Sequence, residues 1–275
     1  MGWWNSRASV RDKLERLALH LLSPYERVSL TETALMEQLW PPGGGRGQSA
    51  VLVSVADGRT LVTTRRPGCH YWWKVLAEVA DVASRDHTLA AEFVLRLHES
   101  SVVSLRKRDN AAVSVPVCGF DRRDGSADVP VPHYYIIPDE ICSDQKSQTP
   151  LVERKASIFA RDSYFCGETP RPLPCQRTHF GLISRNATAV RASGVEWDVA
   201  VTNAVKGGGA YSGRLVSRPP RPLISFAEHR YLLSTDGWVS GGKLSQLLAT
   251  GSVVLKPRSI SRMYFEYLLE PNLVR

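Results

Sequence analysis

The sequence has no apolar run approaching the roughly twenty residues that span a bilayer, so nothing in it calls for a membrane helix. It also lacks any low-complexity tract and any internal repeat long enough for a solenoid. Its five cysteines, Cys69, Cys118, Cys142, Cys166 and Cys175, include no CxxC pair, which argues against zinc-knuckle or thioredoxin-like chemistry. The opening stretch, MGWWNSRASVRDKLERLALHLL, is charged through its middle and reads as an amphipathic helix, not a signal peptide. Bulky Trp3 and Trp4 after Gly2 disfavour myristoylation.

What is present is the composition of a soluble globular protein, with 43% hydrophobic residues over a length of 275 that suits two modest lobes or one large domain. The net charge of +8 invites a nucleic-acid reading. Its clusters are short and dispersed, however: Arg65-Arg66, Arg106-Lys107-Arg108 and Arg122-Arg123, with no aromatic interleaving at a useful spacing. Most of them read as solvated surface, and a minority suits a cleft that attracts phosphate. Cys166 and Cys175 bracket the loop GETPRPLP and are either a disulfide formed in an oxidising lumen or two buried thiols. Asn186-Ala187-Thr188 is a glycosylation sequon, a triplet common by chance.

Local patterning predicts helices over Ser9 to Leu22 and Leu30 to Leu39, then a loop from Pro41 to Ser49. A hairpin is expected from Ala50 to Val55 and Thr60 to Thr64 around Asp57-Gly58. Leu89 to Leu97 reads as helix and Ala111 to Val117 as strand. Gly207 to Pro222, rich in glycine and proline, reads as a loop, and the division between lobes is placed near Pro150.

The stretch from His229 to Ser259 is the most informative. His229 to Ser234 has the aromatic and branched residues of a buried strand, and Asp236, Gly237, Gly241 and Gly242 make a loop of little bulk. Lys243 to Ala249 carries an apolar stripe at Leu244, Leu247 and Leu248, Gly251 ends that helix, and Val253 to Leu255 forms a second strand. This is half of a doubly wound sheet. Its glycine loop and Lys243 read either as a diphosphate grip or as a plain turn with a solvated lysine.

These residues resemble a known family, the Rumi-like protein O-glucosyltransferases and capsule-associated relatives of glycosyltransferase family 90. The resemblance rests on Tyr231, Leu232, Asp236, Gly237, Ser240, Gly241, Lys243 and the run Gly251 to Lys256. A second block, Val115 to Asp139, lies far upstream, in the order the family has, and Glu153 to Gly167 resembles the segment between them, with Arg161 kept and Asp162 in place of the usual glycine. The resemblance covers roughly Val115 to Arg275 and implies an α/β, GT-B-like architecture of two Rossmann-like lobes across a cleft. The lobes correspond to residues 1–150 on the acceptor side and 151–275 on the nucleotide-sugar side, the latter lacking its last elements.

By the same resemblance, activity is the inverting, metal-independent transfer of glucose or xylose from a UDP-sugar, the donor substrate and not a cofactor, to a hydroxyl of a protein or glycan. Asp128, between a polar turn and a Pro-spaced apolar run, suits the general base at an element end facing the cleft and falls on the family's catalytic aspartate, with Pro132 in register. Its bland alternative is a strand-start cap, and Asp124 is a turn-former beside Gly125. Arg161, Asp236, Ser240, Gly241, Gly242 and Lys243 are the implied UDP-sugar contacts, with a salt bridge to Asp162 or Glu153 as the alternative for Arg161. Lys243 stands where arginine is usual, and Met263 stands where a ribose-binding glutamate is usual, with Glu266 three residues away. The family implies an endoplasmic reticulum or Golgi lumen. The competing reading is an inactive, truncated relative that binds sugar nucleotides or protein.

Overall fold

The computed structural model describes residues 50–63, 73–96, 117–123, 128–131, 149–163, 175–202, 215–237, 242–263 and 265–266. The helices expected over Ser9–Leu22 and Leu30–Leu39, the loop from Pro41 to Ser49, the turn at Asp124, and Ser240 and Gly241 lie outside these residues. So does most of the strand expected over Ala111–Val117. The chain divides into two compact units: Met1–Tyr134 together with Ile260–Arg275, and Tyr135–Ser259. The division falls at Tyr134, ahead of Pro150, and the C-terminal residues belong with the first unit. Among the described residues no helix is long and apolar enough to cross a membrane.

Unit 1 begins with β1 (Ala50–Ala56) and β2 (Arg59–Thr63), an antiparallel hairpin with Ala56 opposite Arg59. Its two-residue turn holds both Asp57 and Gly58 at positive φ, 49° and 74°, the geometry for which Asp-Gly is suited. Helix α1 (Trp73–Arg85) follows, with an ion pair between Asp81 and Arg85 one turn apart on its exposed side. Its inward residues Leu76, Val79 and Ala83 pack with Val51, Val53 and Val55 of β1. Next come β3 (Ala91–Arg96), β4 (Val117–Gly119), β5 (Asp121–Arg123) and β6 (Val129–Pro130). The sheet runs β2-β1-β3-β4-β6, antiparallel across β2-β1-β3 and parallel across β3-β4-β6.

The helix expected over Leu89–Leu97 is therefore a strand. LAAEFVLRL satisfies a helical spacing as well as an alternating one, and long-range pairing decides between them. Val51 sits opposite Leu95 and Val53 opposite Phe93, so Phe93 and Leu95 enter the core that β1 and α1 build.

Unit 2 is a parallel sheet of β7 (Lys155–Asp162), β8 (Glu196–Val201), β9 (His229–Leu233) and β10 (Val253–Leu255), ordered β10-β9-β7-β8. Alternation along these strands supplies two apolar faces. Ile158, Ala160, Val199 and Leu233 pack with Phe180 of α2 (Gln176–Arg185) and with Trp197. On the opposite face Phe159, Leu232 and Phe226 meet Leu247 of α4 (Leu244–Ala249). Between α2 and β8 lies α3 (Ala187–Ser193), whose N-cap is Asn186, its side-chain oxygen accepting from the amides of Thr188 and Ala189. The sequon asparagine thus has a structural task.

Strand β9, helix α4, the left-handed Gly251 (φ 71°) and strand β10 reproduce the order and bounds expected from the sequence within a residue or so. The molecule is α/β, with parallel pairing in both units. Cys175 is disulfide-bonded, its partner falling outside the described residues.

Candidate functional site

The connectivity of unit 2 picks out one place on its sheet. From β7 the chain moves outward to β8 on one side, then returns past β7 to form β9 and β10 on the other. The order reverses between β7 and β9, and in open parallel sheets ligands bind beyond the carboxyl ends of strands at such a reversal, because the two connections leave in opposite directions. The residues there are Asp162 and Ser163 at the end of β7, and Ser234, Thr235 and Asp236 beyond β9.

Asp162 organises this spot. One carboxylate oxygen accepts from the Thr235 hydroxyl at 2.7 Å, tying the ends of β7 and β9 together. The other meets the Lys243 ammonium at 3.2 Å, and Lys243 also donates to the carbonyl of Arg161 at 2.6 Å. Asp162 thus supplies the lysine with a counter-ion. Asp236 pairs with Lys256, and its backbone amide donates to the Gln176 side chain at 2.9 Å. Gln176 in turn donates to the carbonyl of Arg258 at 3.0 Å. The first turn of α2 is thereby fixed beside the loop that follows β9.

Of the donor contacts expected from the sequence, Asp236 and Lys243 come to this switch point, and Gly242 precedes Lys243 at the start of α4. Lys243 lies 5.8 Å from the Phe226 ring centroid, close enough for a cation–π contribution. Arg161 is differently placed. It is 5% exposed and its Nη2 donates to both carboxylate oxygens of Asp198 at 2.7 Å, while Nη1 bonds the carbonyls of Ala160 and Asp198. Its guanidinium lies 4.4 Å from the Phe159 ring centroid, on the face that Phe159 shares with Leu232. Neither Asp162 nor Glu153 is its partner in these bonds.

Asp128 immediately precedes β6 in unit 1 and is completely buried. Burial pushes the neighbouring Cys118 thiol up to about 12, with the negative charge of Asp128 adding to the effect. Met263 lies in β11 (Ser261–Met263), which pairs antiparallel with β5, and its amide donates to the Glu266 carboxylate at 2.9 Å. Glu266 is thus engaged within the C-terminal segment.

His229 begins β9 and is buried against Phe159, ring centroids 4.0 Å apart. Its Nδ1 lies 2.7 Å from the Ser157 hydroxyl. Burial, aided by the positive charge of Lys155, lowers its pKa to about 4, so it is neutral at physiological pH and acts as a core hydrogen-bonding group.

Sequence reading did not find Thr235, Gln176 or Arg177, whose Nη1 donates to the carbonyl of Ser163 at 2.6 Å, as members of this arrangement. The available signal was Pro174 just ahead of Cys175, which marks a chain entering a helix whose first turn presents Gln176 and Arg177. Compared against family models and against curated proteins, the sequence gives no match.

Proposed function

We propose that the chain is a glycosyltransferase that moves glucose or xylose from a UDP-sugar to a hydroxyl of a protein or glycan, with inversion and without a bound metal. The observation that carries this reading is the gathering of Asp162, Thr235, Asp236 and Lys243 beyond the carboxyl ends of β7 and β9, where a parallel sheet receives a nucleotide. The family resemblance around those same residues supplies the sugar and the uridine. In this reading unit 2 is the nucleotide-sugar lobe and unit 1 the acceptor-side lobe of a GT-B-like protein. The Lys243 ammonium offers charge to the departing diphosphate, the Thr235 hydroxyl is a further donor, and Asp128 takes the acceptor proton. The disulfide at Cys175 supports a luminal setting, the endoplasmic reticulum or Golgi of the resembled family.

Titration with UDP tests the donor half. A charge-assisted contact to phosphate contributes about 1.5 to 3 kcal/mol, so Lys243→Ala is expected to weaken UDP binding by roughly ten- to a hundredfold with the fold retained. Unchanged affinity in the folded variant removes Lys243 from the site. The complete burial of Asp128 favours a second reading, a non-catalytic relative that binds sugar nucleotides or protein. Transfer assays decide between the two. Asp128→Asn should bind donor like the parent and lose transfer by roughly a hundredfold or more, while Asp124→Asn retains most activity. A parent that binds UDP and transfers no sugar to any protein or glycan acceptor establishes the second reading.

A further inference from the structure

We infer that Arg177, not Arg161, is the arginine that meets the phosphates of a ligand at the switch point of unit 2. This inference rests on the donor-binding reading above and changes which guanidinium carries it. The two arginines differ in how their charge is used. Arg161 is neutralised by a two-pronged pair with Asp198, and its Nη groups are spent on that carboxylate and on backbone carbonyls. A phosphate could reach it only by displacing that carboxylate, which holds it through two 2.7 Å bonds.

Arg177 has no such partner. Its hydrogen bonds run from Nη1 alone, to the carbonyl oxygen of Ser163 at 2.6 Å and to the Ser163 hydroxyl at 3.3 Å. Its Nε is buried and unbonded, and no carboxylate among the described residues pairs with it. The part-buried cation is thus answered only by neutral oxygens. An arginine in that state is a receptor for an anion, and its fork matches two phosphate oxygens at once.

Position supplies the second half of the argument. Ser163 is the residue directly after β7, and Arg177 reaches it from the neighbouring residue to Gln176, which is bonded to the amide of Asp236 beyond β9. Arg177 is therefore held at the carboxyl end of β7, one of the two strands between which the sheet order reverses. Asp162, one residue before Ser163, is already occupied by Lys243 and Thr235, which leaves the Arg177 charge for a ligand. The ligand chemistry this selects is a phosphate or diphosphate group, whether carried by a nucleotide or free.

The test uses the full chain, calorimetric titration with inorganic pyrophosphate and with UDP, and the variants Arg177→Gln, Arg177→Lys and Arg161→Gln. Arg191→Gln, on the exposed side of α3, controls for loss of one positive charge. The expected result is that Arg177→Gln weakens both ligands by tenfold or more, Arg177→Lys weakens them by less because charge remains and the fork is lost, and Arg191→Gln changes neither. Arg161→Gln, where it stays folded, should bind like the parent. If UDP binds the parent and Arg177→Gln equally, the Arg177 assignment falls and the sugar-nucleotide reading stands. Pyrophosphate binding that depends on Arg177, with no binding of UDP, keeps the anion site and removes the sugar-nucleotide reading. A parent that binds neither ligand overturns both. Should Arg177→Gln fail to fold, Arg177→Lys decides alone, and affinity equal to the parent's overturns the inference.

Discussion

Arg161 and Asp198 stand 37 residues apart in the chain and meet on adjacent strands as a pair in which the arginine is buried and the aspartate is half-buried. Removing the arginine leaves a half-buried carboxylate that solvent and Arg218, 3.5 Å away, still reach, so Arg161→Ala is expected to lower stability by about 2 kcal/mol, below the range for a fully buried pair. Urea denaturation of the variant measures it; a loss below about 1 kcal/mol would show that the pair contributes little. His229 makes a pH-dependent contribution of its own. Its folded-state pKa of about 4 is below the ordinary 6.5, so the folded state resists its protonation. That stabilisation is complete above pH 6.5 and disappears as pH falls to about 4, a difference of about 3 kcal/mol. The stability difference between the parent and His229→Gln should therefore shrink across that window, while nearby carboxylates titrate alike in both. A constant difference from pH 7 to pH 4 would mean that His229 titrates near its ordinary value.

At the level of elements, local chemistry was legible wherever it acts locally. Asp57-Gly58 announced a tight hairpin because few other pairs tolerate positive φ at both positions. His229 to Leu255 announced strand, helix and strand because branched residues, an apolar helical stripe and Gly251 each vote for one state. Gly251→Ala tests that reading: at φ 71° a β-carbon is strained, and about 1 kcal/mol of stability should be lost, measurable by thermal or urea unfolding. Other elements were misread or missed, among them β3, α1, α2, α3 and β8. β3 fits a helix as well as a strand because the seven apolar residues among Leu89 to Leu97 satisfy either period, and only the strand β1 beside it decides. α1 went unnoticed although Leu76, Val79 and Ala83 have helical spacing, its start at Trp73 lacking any capping residue in the sequence. The candidate site was half legible for the same reason. Lys243, Thr235 and Asp236 belong to a contiguous stretch, whereas their partners Asp162 and Gln176 are brought to them only by sheet order.

On the scale of the whole molecule, the segment Ile260–Arg275 belongs with the first unit although it follows the second in sequence. β11 completes a two-stranded ribbon with β5, and Met263 is buried there at 1% exposure. Deleting residues 260–275 should therefore cost protection from hydrogen exchange in residues 117–123 and leave residues 155–162 and 229–233 protected, since the second unit is contiguous and carries its own two-faced core. Equal loss in both regions would contradict the division into units.

The same arrangement orders events during synthesis. The whole of residues 124–260 separates β5 from β11, so a chain emerging from the ribosome presents β5 long before the strand that pairs with it. Until that strand arrives, β5 has an open edge, which is the form in which a nascent chain is most exposed to pairing with a neighbour.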